Sequence, residues 1–143
     1  IKVLVGSGPN KTEFYLSKDL LCSESTFFKS ACNEAWESGR TNTVTLEDED
    51  PKLFITFATW VATGSVEACS GWEVMKLWHY LCRVYILGDF LGSRNFRNAI
   101  MKILIEKAGI LVEAEGDITY HDQIVPLIYE KTNPGSPLRH LLF

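Results

Sequence analysis

Residues 72–92, WEVMKLWHYLCRVYILGDFLG, restrict most strongly what this chain can fold into. The spacing is helical, and apolar side chains (Val74, Leu77, Trp78, Leu81, Cys82, Tyr85 and Leu87) run nearly all the way round. Such a helix is stable only when other elements cover it on several sides. It is therefore predicted to be central and buried, with Gly88 and Gly92 bracketing its end. The rest of the chain has to supply the cover.

The cover begins as strands and continues as helices. IKVLV (1–5) is β-branched and apolar, GSGPN (6–10) is turn chemistry, and TEFYLS (12–17) reads as the returning strand of a hairpin. In TNTVTLED (41–48) the alternation of Thr43, Val44, Thr45 and Leu46 predicts a half-buried strand. The acidic run Glu47 to Asp50 is expected as a solvated turn before a helix. Asp50 caps that helix, Pro51 opens it and Gly64 stops it, with Leu53, Phe54, Phe57, Trp60 and Val61 on one face. Val66 to Ala68 is expected as a short edge strand. After the central helix, SRNFRNAIMKILIEKAG is predicted as a helix capped by Ser93 and stopped at Gly109. ITYHDQIVPLIYEKT predicts another, which Pro126 either kinks or restarts. NPGSP (133–137) breaks the chain, and LRHLLF closes it as a short amphipathic segment.

The stretch FYLSKDLLCSESTFFKSA (14–31) sets Asp19, Ser23 and Ser25 among Leu20, Leu21, Phe27 and Phe28. Ser17 or Lys18 is expected to begin one short helix, and Ser23 or Glu24 to precede a second. The polar residues then serve orphan backbone N–H groups while the apolar ones form the stripe behind them. No His or second carboxylate lies nearby in sequence to activate Ser23 or Ser25 as a nucleophile.

The sum is an α+β domain: a small mixed β-sheet in the N-terminal half, capped by a cluster of five or more α-helices. The 143 residues suit one domain spanning 1–143, with 117–143 as a C-terminal helical extension. Ile1 in place of Met predicts that the native N-terminus lies upstream.

Charge excludes some functions. Fourteen basic against 18 acidic side chains give −4, with no basic stripe, so direct nucleic-acid binding is not expected. No apolar run reaches the ~20 residues of a membrane span. Cys22, Cys32, Cys69 and Cys82 form no C-x-x-C pair, and no His stands at finger spacing, so no metal or other cofactor is expected. The thiols are read as reduced and mostly buried, pointing to the cytoplasm or nucleus. His79 and Cys82 share the central helix, but Trp78, Leu81 and Val84 around them predict packing rather than an electropositive cleft. The adjacent His121 and Asp122 diverge in direction and predict no metal site. Gly6-x-Gly8 lacks both the Lys-Ser/Thr ending of a phosphate loop and the dinucleotide-binding spacing. Trp36, in the polar stretch NEAWESGRTN, is either an exposed interface anchor or a residue folded back on the helix carrying Cys32. Trp72 is expected to staple the start of the central helix.

FYLSKDLLCSESTFFKSACNEAW, VTLEDEDPKLFITFATWVATGSV and WHYLCRVYILGDFLGSRNFRNAIMKIL together resemble the BTB/POZ domain, most closely the divergent BTB domains of filamentous fungi. IYEKTNPGSPLRHLL is similar to the segment that follows the domain there, so the resemblance covers almost the whole chain. Asp19 and Ser25 match the polar points of the strand–helix motif, and Phe27 and Phe28 its paired aromatics. Leu53 and Phe54 match the helix after the acidic turn, Gly64 its end, and Leu87 to Gly92 the family's A-D-x-L/Y region, with Gly88 where many members carry Ala. Ser17 stands where the family usually has His. Trp36-Glu37-Ser38 puts the acid of the cullin-binding register one position early, and the helix that usually precedes the first strand is not in this chain.

The resemblance implies a non-enzymatic protein-interaction module that forms homodimers or acts as an adaptor, with a cullin-type ubiquitin ligase among its candidate partners. The expected partner-binding residues are Trp36, Glu37, Arg40, Asp48 and Phe54: an apolar patch around Trp36 and the helix beginning at Pro51, with charges at its rim. Two alternatives stand beside it. One is a purely structural dimerisation domain of a larger transcription-related protein. The other is a small enzyme or ligand-binding domain with a Cys/His pocket.

Overall fold

The computed structural model describes residues 1–33, 41–66, 73–115 and 124–141. Strand β1 (Lys2–Val5) pairs antiparallel with β2 (Thr12–Tyr15) and parallel with β3 (Thr43–Leu46), giving the order β2-β1-β3. Val3 stands opposite Phe14 on one side and Val44 on the other, and Val5 opposite Thr12 and Leu46. Alternation thus places Val3, Val5, Val44 and Leu46 on one buried face. The parallel pairing of β1 and β3 requires a long crossover. The chain between them supplies it as β2 and two short helices, α1 (Lys18–Glu24) and α2 (Thr26–Ala31).

Helix α3 (Pro51–Thr63) starts where expected. The Asp50 carboxylate accepts the Lys52 amide at 2.9 Å, and Gly64, at φ 78°, ends the helix by donating its amide to the Trp60 carbonyl. Phe54 and Phe57 point inward and join Phe14, Phe28, Trp60 and Phe96 in a cluster of rings. Phe54 meets Phe14 edge-on at 4.9 Å, and Phe57 meets Phe96 edge-on at 5.1 Å.

Helix α4 (Val74–Phe90) is buried at Leu77, Trp78, Leu81, Cys82, Val84, Tyr85 and Leu87, as expected of a central helix, but Lys76, Arg83 and Phe90 mark one exposed outer side. Its long partner α5 (Arg94–Glu115) does not stop at Gly109. One glycine costs a helix only about 1 kcal/mol, and the apolar residues after it continue the helix. Gly88 lets the two helices close together: a methyl there would come within 3.0 Å of the Phe96 ring. Helix α6 (Ile124–Lys131) holds Pro126 in its first turn, so the proline begins the helix rather than kinking it. Helix α7 (Pro137–Leu141) follows Ser136, whose hydroxyl accepts the Leu138 amide. Arg139 turns back to donate to the carbonyls of Tyr129 and Thr132 at the end of α6. The architecture is α+β, with a three-stranded mixed sheet and seven α-helices among the described residues. The expected strand at Val66 to Ala68 runs beyond Val66, which is not in a strand, into residues outside the described ones, where Trp72 and His121–Asp122 also lie.

The serine-rich corner holds two helix caps. Ser17 caps α1 and Ser25 caps α2. Ser25 is buried, accepts the Phe28 amide at 3.1 Å and donates to the Leu91 carbonyl at 2.5 Å. The Phe27 amide reaches that carbonyl too, at 3.2 Å, and the Thr26 amide reaches that of Gly92 at 3.4 Å. Gly92, at φ 63°, lies so close that a methyl would sit 1.9 Å from the Thr26 hydroxyl. Ser93 behaves differently. It precedes α5 as expected, yet its buried hydroxyl has no partner among the described residues.

These contrasts yield measurable outcomes in urea unfolding. Ser25→Ala orphans the buried Phe28 amide and leaves the Leu91 carbonyl with the Phe27 amide alone, and is expected to cost ~2 kcal/mol. Ser93→Ala removes an unsatisfied hydroxyl and is expected to be neutral or stabilising. Gly64→Ala, with open space around it, is expected to cost only the left-handed backbone penalty of ~1–2 kcal/mol. Gly92→Ala adds a collision to the same penalty and is expected to cost clearly more.

Candidate interaction surface

Because α3 turns Phe54 inward, the residue one step along faces out. Phe54 is 0 % exposed and Ile55 is 54 % exposed. Ile55 borders a groove of about 850 Å³ between the start of α3, the face of β2 and the outer side of α4. Phe14, Pro51, Leu53, Ile55 and the ring of Tyr80 give it an apolar wall. Tyr80 fixes the junction of the two helices: its hydroxyl donates to the Lys52 carbonyl at 2.6 Å and lies 2.7 Å from the Thr56 hydroxyl. Lys52, Lys76 and Arg83 stand at the rim with Asp50. Leu53 and Arg83 are shared with a second hollow of about 450 Å³, which continues along α4 past Ile86 to Phe90 and Leu127. Phe90 is 50 % exposed and packs one side of its ring on Phe27 at 5.1 Å.

The expected binding residues are placed as follows. Asp48 is exposed, in the turn between β3 and α3, and lines both the second hollow and a third of about 620 Å³ beside the β1–β2 turn. Phe54 is corrected: it is a core residue, enclosed by Phe14, Phe28 and Phe57, and no partner reaches it without opening the domain. Trp36, Glu37 and Arg40 lie outside the described residues. Ile55, Phe90 and Tyr15 were missed as surface residues. The signal for Ile55 is present in the sequence, since Phe54, Phe57, Ala58 and Val61 fix the inward face of α3 and leave position 55 about 100° away from it.

No group of three His, Cys, Asp or Glu side chains among the described residues could hold a metal ion. No helix among them is long and apolar enough to cross a membrane. Two thiols have the opposite of a nucleophile's electrostatics. Burial pushes Cys82 well above the ordinary thiol value, and burial followed by contact with Cys22 pushes Cys32 up to about 11. Glu49, beside the second hollow, is raised chiefly by burial and next by the Asp48 charge, while Lys131 opposes the shift.

No protein-family model matches this chain, and comparison with curated proteins returns no match.

Two outcomes follow. Iodoacetamide near neutral pH is expected to leave Cys82 unmodified in the folded chain and to label it once urea unfolds the protein. Glu49 holds its proton more tightly folded than unfolded, so its contribution favours the folded state at low pH. That contribution is lost as pH rises from the unfolded value of about 4.3 through the raised folded value. Glu49→Gln is therefore expected to flatten this part of the pH dependence and raise the urea midpoint at neutral pH. An unchanged pH profile would mean that Glu49 is solvated.

Proposed function

We propose that this chain is a non-enzymatic protein-interaction module of the BTB/POZ type, pairing with itself or serving as an adaptor for another protein. The observation that carries the reading is the order of elements around one corner. A strand hairpin leads into two short helices, a third strand returns parallel to the first, and a helical half follows. The residues that carry the sequence resemblance occupy structural points of that corner. Ser25 is its buried cap, Phe28 its fully buried ring, and Leu87 to Gly92 the segment it is fastened to.

A module of this kind works by presenting a surface. The groove along α3 and α4 offers an apolar wall with charges at the edge, the composition that suits a protein interface with a desolvated centre and a polar rim. Ile55 is the exposed side chain best placed to lose water on binding. A cullin scaffold remains the adaptor partner the resemblance favours.

Light scattering over a concentration series tests this. The reading predicts a mass of two chains, falling toward one when Ile55→Glu puts a carboxylate in the groove. A chain that stays single at every concentration and also fails to bind the amino-terminal domain of a cullin would contradict it.

A further inference from the structure

Cys22 lies in α1 and Cys32 closes α2, and the fold brings both to one carbonyl. The Cys22 thiol is 3.7 Å from the Phe28 oxygen, which also accepts the Cys32 amide at 2.8 Å. Cys22 is thus a neighbour of Cys32 and, after burial, the next cause that raises the Cys32 thiol. They differ in access. Cys32 is 5 % exposed, whereas Cys22 is half-buried and lines a solvent-open cleft of about 300 Å³. Lys29 and Arg94 flank that cleft with Glu24, whose carboxylate accepts from Asn95 at 3.2 Å. The third described thiol, Cys82, is enclosed in the core and 0 % exposed.

The geometry points to a peroxide-sensitive thiol pair, in which Cys22 is the attacking sulfur, Cys32 the resolving one, and a Cys22–Cys32 disulfide the product. The Cys22 thiolate attacks one oxygen of hydrogen peroxide. The O–O bond breaks, and the departing hydroxide takes a proton to leave as water, so Cys22 carries a sulfenic acid. The Cys32 sulfur then attacks Cys22, its proton joins the displaced hydroxyl, and a second water leaves. Two thiols and one peroxide become one disulfide and two waters, with both electrons passing from the sulfurs to the peroxide. Burial keeps Cys32 protonated at neutral pH, so it waits for the sulfenic acid rather than meeting the oxidant first. Reaching the S–S length of about 2.05 Å from either side of the Phe28 carbonyl calls for side-chain rotation and slight closure of α1 on α2. The bond would staple the helix pair that carries Ser25.

The test is peptide mapping of the full chain after hydrogen peroxide, with the oxidant removed and free thiols alkylated in urea before digestion. Trypsin cuts after Lys29, so the expected bond joins two separate peptides, one with Cys22 and one with Cys32. Loss of those two thiols, with Cys69 and Cys82 still alkylated and full recovery in dithiothreitol, is the expected result. Cys32→Ser is expected to leave a sulfenic acid at Cys22 that dimedone traps, and Cys22→Ser to abolish the reaction at Cys32. Stepwise oxidation of Cys22 to sulfinic acid in the native chain without a crosslink would overturn the proposal. So would consumption of Cys69 or Cys82 while Cys22 and Cys32 stay free. Should either variant fail to fold, the native-chain map decides alone. The result is independent of whether the chain pairs or binds a cullin.

Discussion

The fold hangs on the backbone carbonyls of Leu91 and Gly92. A six-residue helix such as α2 has little stability of its own, because nucleation costs more than one or two turns return. Its leading amides would normally need water or a local cap. Here the Thr26 and Phe27 amides find those carbonyls, and Ser25 ties the Phe28 amide to the same place through its hydroxyl. Two neighbouring carbonyls between α4 and α5 thereby cap the start of a helix far away in sequence. Gly92 is required because any side chain there would strike Thr26.

The surface follows from this fastening. With α2 pinned, Phe28 enters the core beside Phe54 and Phe57, and α3 must turn that face inward. Its other face then carries Ile55 into the groove shared with β2 and α4. Tyr80 sets the spacing of the groove from the α4 side by bonding the Lys52 carbonyl. The same pinning holds α1 against α2 and brings Cys22 and Cys32 to the Phe28 carbonyl. The groove, the ring cluster and the thiol pair are thus three consequences of one corner.

How much of this the sequence displays depends on range. Local signals read well: Asp50-Pro51 and Gly64 set both ends of α3, and the all-round apolar pattern marks α4 as central. Ser17 caps as expected, while the second cap falls at Ser25 rather than Ser23 or Glu24, because the hydroxyl of Ser25 is the one that also reaches Leu91. Helix α5 runs through Gly109 because a weak local breaker loses to continuing apolar periodicity. Ser93 shows the converse: it has the sequence of a cap, but its hydroxyl has no partner among the described residues. The candidate surface was legible in place but not in identity. The helix beginning at Pro51 does border a groove, yet Phe54 faces the core and Ile55 faces the solvent. The meeting of Cys22 with Cys32 depends on how α1 folds back on α2, which spacing alone does not give.

The central claim is that the α1–α2 corner and the α4–α5 pair form one cooperative unit, joined at Leu91 and Gly92. Native-state hydrogen exchange of the Phe27 and Phe28 amides, set against those of Val84 and Tyr85 in α4, tests it most directly. One shared opening free energy for all four, equal to that of global unfolding, is the predicted result. Exchange of Phe27 and Phe28 at the rate of a frayed short helix, while α4 stays protected, would contradict it.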